Sequence, residues 1–247
     1  MILALVDLDN TLTTSNGLIL EETTKDINEF NNKNKLVIIS TSYFNEIDNL
    51  LKKYGLEIDF YSISNNIGLI DNEIYKGNIN LLNELIDKFD DAIYTLWSND
   101  INNTYVYKYQ DRLAFFYPKG NLIKLDSFNV NLPNIFIAIS NDNIDNFINY
   151  INNNELNYNI IAKDLKRHII RISPKNYSEF DFYKFIINKY KNYKIVGIGD
   201  SSSNLDFINL CNLKVAMKNS ELEERLEIKT PLDNNSNGAL NYLINLQ

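Results

Sequence analysis

The stretch Leu5-Val6-Asp7-Leu8-Asp9-Asn10-Thr11-Leu12 decides how this chain is read, because two carboxylates and a hydroxyl alternate at the end of an apolar run. Residues 2–6 predict a short buried strand. Asp7 then falls at the carboxyl end of that strand, where open parallel sheets bind their ligands. Period-two alternation would set Asp7 and Asp9 on one face. The plainer reading is a strand followed by an Asp/Asn turn. The rest of the chain has to separate the two.

Working outward, residues 21–32 have a helical pattern, and Leu36-Val37-Ile38-Ile39 predicts a second buried strand that stops at the hydroxyls Ser40-Thr41-Ser42. Phe44, Ile47, Leu50, Leu51 and Tyr54 follow helical spacing, with Gly55 as the stop. A short strand follows near residues 60–63. Residues 78–171 change texture and read as an insertion: a helix over 80–89, strands over 92–97, 104–109, 113–117 and 135–139, and a helical stripe of Ile144, Phe147, Ile148 and Ile151. A hairpin of 158–162 with 165–172 closes it. Ser178 with Asp181 resembles a capping box opening a helix through Tyr190, and residues 194–198 return to a buried strand. Alternating strands and helices predict an α/β fold with a doubly wound parallel sheet. The expected division is a core of residues 1–77 plus 172–247 and an inserted α+β cap of residues 78–171.

The strand at 194–198 leads into Gly199-Asp200-Ser201-Ser202-Ser203-Asn204-Leu205-Asp206, so an acid again stands at a strand end. Bringing Asp7 and Asp200 together makes a carboxylate pair that resists double ionisation unless a cation lies between. Hard oxygen donors of this kind suit Mg²⁺. The competing reading is a polar turn capping the next helix.

Composition limits the partners. The chain has 247 residues, 45% of them hydrophobic, enough for one large domain or two small ones. Its net charge of −8 argues against a nucleic-acid partner. A single cysteine, Cys211, allows no internal disulfide and suits a reducing cytoplasm. Asp7 and Asp9 interrupt the first apolar run, which therefore reads as neither a secretion signal nor a membrane span.

At this point the chain resembles the haloacid dehalogenase-like superfamily of hydrolases, whose motifs occur in order. The Asp-x-Asp-x-Thr motif matches Asp7, Asp9 and Thr11. The resemblance implies that Asp7 attacks phosphorus to give an aspartyl-phosphate, and that Asp9 protonates the leaving group and later activates water. The second motif, a hydroxyl at a strand end, matches Thr41, with Ser40 as the weaker claimant and Ser42 adjacent. The acidic Gly-Asp motif matches Gly199 and Asp200, but Asn204 replaces its second acid. Asp7, Asp9, Asp200 and Asn204 are the implied Mg²⁺ set, and Thr11, Thr41, Ser42 and Lys175 the implied phosphate-binding set. Lys175 stands in for the family's third-motif lysine, although an ungapped comparison puts Glu179 there; Lys163 and Lys184 are outside candidates. Val215-Ala216-Met217-Lys218-Asn219-Ser220 and the segment from Thr230 to Gly238 extend the likeness to the C-terminus. Asn219 is an implied substrate contact. These matches are typical of Cof-type members, with the cap between the second and third motifs.

Arg167 and Arg171 are four apart on an expected strand, so both face one way and offer a grip on a carboxylate or second phosphate, while His168 faces the other. A solvated sheet face is the plainer account of the pair. Tyr43 stands where many sugar-phosphate-directed relatives carry Arg. Thr41, Ser42 and Glu46 resemble part of the mannosyl-3-phosphoglycerate phosphatase pattern. The expected function is Mg²⁺-dependent hydrolysis of a small phosphorylated metabolite by a cytoplasmic monomer or homodimer, with no membrane or nucleic-acid partner. Alternatives are a phosphoglycolate phosphatase, a phosphosugar mutase, or a catalytically weakened binding protein of the same fold.

Overall fold

Every residue of Ile2–Asp7 is buried, and this uninterrupted apolar run makes a strand that is covered on both faces. The computed structural model describes residues 1–56, 60–64, 67–70, 73–100, 103–117, 121–125, 132–175 and 179–246. In chain order its main elements are β1 (Ile2–Asp7), α1 (Glu21–Asn31), β2 (Lys35–Ile39), α2 (Phe44–Lys53), β3 (Phe60–Ser64), β4 (Ile67–Ile70), β5 (Glu73–Lys76), α3 (Leu82–Phe89), β6 (Ile93–Asn99) and β7 (Asn103–Tyr107). They continue with β8 (Asn121–Lys124), β9 (Ile135–Ser140), α4 (Ile144–Asn153), β10 (Leu156–Lys163), β11 (Arg167–Pro174), α5 (Glu179–Lys189), β12 (Lys194–Gly199), α6 (Leu205–Ile208), β13 (Leu213–Ala216), β14 (Ile228–Lys229) and α7 (Gly238–Asn245).

Two sheets organise the chain. The first has the order β14-β13-β12-β1-β2-β3-β4-β5. From β14 to β3 its pairings are parallel, while β3, β4 and β5 form an antiparallel meander. The expected parallel core thus carries an antiparallel edge, because links of a few residues can reverse a strand but cannot make a parallel crossover. One apolar core joins β1, β2 and β12 to helix residues such as Phe30, Phe182, Phe207 and Leu243. Chain direction along the sheet reverses at β1. Successive strands run outward through β2 on one side and through β12 and β13 on the other, leaving a crevice at their carboxyl ends.

The second sheet, β10-β11-β9-β6-β7-β8, is antiparallel except for β7 with β8. Phe147 and Ile151 of α4 and Leu85 and Phe89 of α3 pack on one face, against Ile137, Ile139 and Ile170. The other face carries Trp97, Phe136, Ala138 and Ile169, and Tyr43 from the first unit packs against it. β11 carries this sheet to Pro174, three residues past the expected boundary at 171. Residues 113–117, expected as a strand, lie instead in a helical turn, Asp111–Phe116. Leu113 within the turn and Tyr117 just past its end, four apart, are buried, a helical spacing that also reads as alternation over so short a run. The expected cap at Ser178 lies outside the described residues. No helix among the described residues is long and apolar enough to cross a membrane.

Candidate active site

β1 and β2 are in register with Asp7 opposite Ile39, and β1 and β12 with Val6 opposite Ile198. Asp7, Ser40-Thr41 and Asp200 therefore emerge at one level, at the crevice. Past Asp7, whose backbone is extended (φ −63°, ψ 151°), the chain enters a tight turn in which Asn10 takes the left-handed conformation (φ 55°). Thr13 N–H donates to Leu8 O at 2.9 Å and closes it. Asn tolerates that conformation better than most residues. The turn delivers Asp9 to the same cleft as Asp7, a cavity of about 380 Å³ also lined by Asn10, Ser40, Thr41, Tyr183, Asp200 and Asn204.

Burial, then the Asp200 carboxylate, then that of Asp9 push the Asp7 carboxyl up to about 8. The Thr11 hydroxyl and the Asn204 amide pull the other way. Asp200 is also raised, chiefly by its half-burial, with Ser201 and Asn10 among the groups opposing the shift. A buried carboxyl beside other carboxyls holds its proton unless a positive charge arrives.

Asn204 is the keystone of the Asp200 loop. Its Oδ1 accepts the backbone N–H groups of Asp200 (3.0 Å) and Ser201 (3.1 Å), and its Nδ2 donates to Asp7 Oδ1 at 3.2 Å. Two N–H donors require oxygen on that side, which fixes the amide's orientation. With Oδ1 committed to these bonds, the expectation that Asn204 ligates metal is corrected: it ties the two acidic strand ends together. A Cβ at Gly199 would lie 2.5 Å from Asn204 Oδ1, so glycine is what admits this contact.

The other expected site residues separate. Ser40 is buried, donates to Asp9 Oδ2 at 3.4 Å and accepts the Ser42 N–H at 3.0 Å, so it orients the second acid. Thr41 lines the cleft, exposed, with no hydrogen bond among the described residues. Ser42 does not line it. Thr11 is buried outside the lining; its hydroxyl has no partner of regular geometry among the described residues, yet lies near enough to Asp7 to favour the charged form. Lys175 is exposed after β11 and does not line the cleft, nor do Lys163 and Lys184; among the described residues no cation does. The side chain of Glu179 lies outside the described residues. Tyr183, buried on α5, faces the cleft instead and packs on Phe207 with ring centroids 5.7 Å apart. Asn219 is an exposed left-handed turn residue (φ 63°) whose N–H donates to Glu223, away from the cleft.

Arg167 lies in the second unit, its Nε 2.8 Å from Asp164 Oδ2. With Ile169 between them packing on the face that Tyr43 meets, Arg167 and Arg171 share that face, and neither lines the Asp7 cleft. Glu46, part of the pattern shared with mannosyl-3-phosphoglycerate phosphatases, accepts the Tyr43 N–H at 3.4 Å at the start of α2. Its presence is explained by helix capping. Asn10, Ser40, Tyr183 and Asp206 are among the cleft residues that the sequence motifs left out or ranked low; the Asn within an Asp-x-Asp-Asn turn and the strand-end hydroxyl of Ser40 were the available signals.

The donor set suits a hard cation of modest demand. Among the described residues no three acidic, histidine or cysteine side chains are gathered tightly enough to hold a metal alone. Mg²⁺ requires less, namely one or two carboxylates with waters and a substrate phosphate. Asp7 and Asp200, whose repulsion raises Asp7, supply that pair.

A family model described as haloacid dehalogenase-like hydrolase matches residues 4–244. Among solved structures the chain is similar to TM0651 from Thermotoga maritima, with a TM-score of 0.76, 19% identity, and coverage of 99% of this chain and 97% of that one. A haloacid dehalogenase-like hydrolase from Bacteroides thetaiotaomicron gives 0.71 and 17%, covering 99% of both chains. A structure titled as that of the HAD subclass IIB sugar phosphatase BT4131 gives 0.65 and 13%, covering 100% of this chain and 99% of that one. No curated protein matches.

Proposed function

Because the chain belongs to the haloacid dehalogenase-like hydrolases, we propose that it hydrolyses a small phosphomonoester through an aspartyl-phosphate on Asp7. The observation that carries this reading is the convergence of Asp7, Asp9, Asp200 and the free Thr41 hydroxyl on one cleft at the sheet's reversal point. The similar fold of a HAD subclass IIB sugar phosphatase supports a small phosphorylated metabolite as substrate.

Asp7 attacks phosphorus as the carboxylate, and the bond to the leaving oxygen breaks as Asp9 gives that oxygen its proton. Asp9, now charged and held by Ser40, takes a proton from water, which attacks the phosphoryl group and releases inorganic phosphate and Asp7. Thr41 donates to a phosphoryl oxygen. The Asn204 amide holds the Asp7 oxygen that does not attack. Mg²⁺, held by Asp7 and Asp200, would supply the positive charge that ionises Asp7 and balances the phosphate. Purified protein with Mg²⁺ is expected to hydrolyse 4-nitrophenyl phosphate; absence of turnover over a broad panel of phosphomonoesters would overturn the proposal. One observation favours a second reading, a phosphoester-binding protein with little turnover: no cation lines the cleft among the described residues. Binding of the same esters without hydrolysis would establish it.

A further inference from the structure

A second cavity, of about 220 Å³, lies on the face of the second sheet that Tyr43 meets, and its charge is opposite to that of the cleft. In a chain of net charge −8 it is lined by Arg112, Lys163 and Arg167 against one acid, Asp164. Asp164 is already committed: its Oδ2 pairs with Arg167 Nε at 2.8 Å, and its Oδ1 accepts the N–H groups of Lys166 and Arg167. That pairing aims Arg167, whose guanidinium also lies over the Tyr94 ring at 5.9 Å from its centroid, and its terminal nitrogens donate to no acceptor among the described residues. Arg112 and Lys163 are exposed and have no ion pair or hydrogen bond there. The floor is apolar, with buried Leu113 and Ile169, and the Phe115 ring stands 76% exposed beside it. Phe116 also lines the pocket, and its carbonyl accepts the Tyr43 hydroxyl at 3.1 Å, two residues along the chain from cleft-lining Thr41.

We infer that this pocket receives the leaving group of the substrate, and that the leaving group carries a second anion on a flat apolar body. Three cations with spare donors call for an anion, and the exposed phenyl ring and aliphatic floor call for an apolar carrier. The scissile phosphate belongs to the cleft, so the anion met here is a different group. The inference rests on the phosphatase reading for the word substrate, while binding to the pocket can be measured apart from it.

The test compares phenyl phosphate with 4-carboxyphenyl phosphate and 4-(2-carboxyethyl)phenyl phosphate, in wild type, Arg112→Gln, Lys163→Gln and the double variant. These side chains are exposed, so folding is not at risk. At least one carboxylated ester is expected to show a KM about tenfold below that of phenyl phosphate, the effect of one charge-assisted hydrogen bond. The double variant should erase that advantage and leave phenyl phosphate within about twofold, as expected for a group that touches only the second anion. Equal KM values for all three esters in wild type, or a double variant that weakens all alike, would overturn the inference. If no ester is turned over, the phosphatase reading fails first, and calorimetric binding of the same esters decides the pocket. Carboxylate-dependent binding lost in the double variant supports it, and its absence refutes it.

Discussion

The Asp7 cleft and the pocket between Arg112 and Arg167 are linked through Tyr43, which follows cleft-lining Thr41 by two residues and bonds pocket-lining Phe116, and they are opposite in charge. Carboxylates line the first with no cation among the described residues, and three cations line the second with one committed acid. The cleft's carboxylates repel one another, which pushes Asp7 up to about 8 and makes the site depend on charge brought from outside. In the pocket, Asp164 neutralises part of Arg167 and leaves the rest for an anion. On the proposed reading, chemistry and selection stand on different units.

The largest effect should come from removing the nucleophile. Asp7→Asn is expected to lower turnover at least about a thousandfold, as loss of a covalent nucleophile does. Asp9→Asn should cost about 10²- to 10⁴-fold, the range of a general acid–base group. Rates are read with Mg²⁺ present, and near-wild-type activity in Asp7→Asn would break the assignment of chemistry to the cleft.

Stability should record the same crowding. In the fold Asp7 keeps its proton to about pH 8, whereas in the unfolded chain it ionises near the ordinary carboxyl value of 3.8. Between these values unfolding releases a proton, so raising the pH favours the unfolded state. Metal-free protein should lose stability from about pH 4 to about pH 8 and level off above, by about 6 kcal/mol at most, at 1.36 kcal/mol per pH unit. Asp7→Asn should flatten most of that slope, leaving the part due to Asp200, which is raised in the same direction. Mg²⁺ added at pH 8 should restore stability to wild type. Denaturant melts across this range in which Asp7→Asn keeps the full slope would refute the account.

Asn204→Asp sharpens the contrast by adding an acid to the acidic region. It swaps an amide donor on Asp7 Oδ1 for a carboxylate. The metal-free variant should be less stable by roughly 1 to 3 kcal/mol, the cost of a lost buried donor. Mg²⁺ should stabilise it more than it does wild type, because charge on the ligand side has increased. An unchanged metal-free midpoint would mean that Asn204 does not hold Asp7.

How far these regions were legible in the sequence follows from the range of the interactions involved. β1, β2 and β12 are uninterrupted apolar runs, and their ends identify Asp7, Thr41 and Asp200 without tertiary knowledge. The stripes of α2 and α4 are equally local. Asn204 was harder, because as an isolated residue it is only a missing acid; its work appears when the loop closes and its carbonyl meets two backbone N–H groups. Ser40 loses first place to Thr41 by motif, yet it reaches Asp9 because β2 is in register with β1. The pocket was half visible in Arg167. Arg112 and Lys163 come from a helical turn that alternation misread and from the edge strand β10, and only the folded sheet brings them to one face.

The smallest expected effect tests the join between the two regions. Tyr43 starts α2 directly after the Ser40–Ser42 strand end, packs on the Trp97 and Phe136 face, and donates to Phe116 O. Burial raises its phenol above the ordinary value, so the hydroxyl remains a donor throughout the working pH range. Tyr43→Phe keeps the ring and removes only that bond, at a cost of about 0.5 to 1.5 kcal/mol. If the bond couples the pocket to the cleft, the variant should raise KM for a carboxylated aryl phosphate more than for phenyl phosphate, although Tyr43 lines neither cavity. Equal shifts would reduce Tyr43 to packing, and the acidic and basic regions would then act without this link.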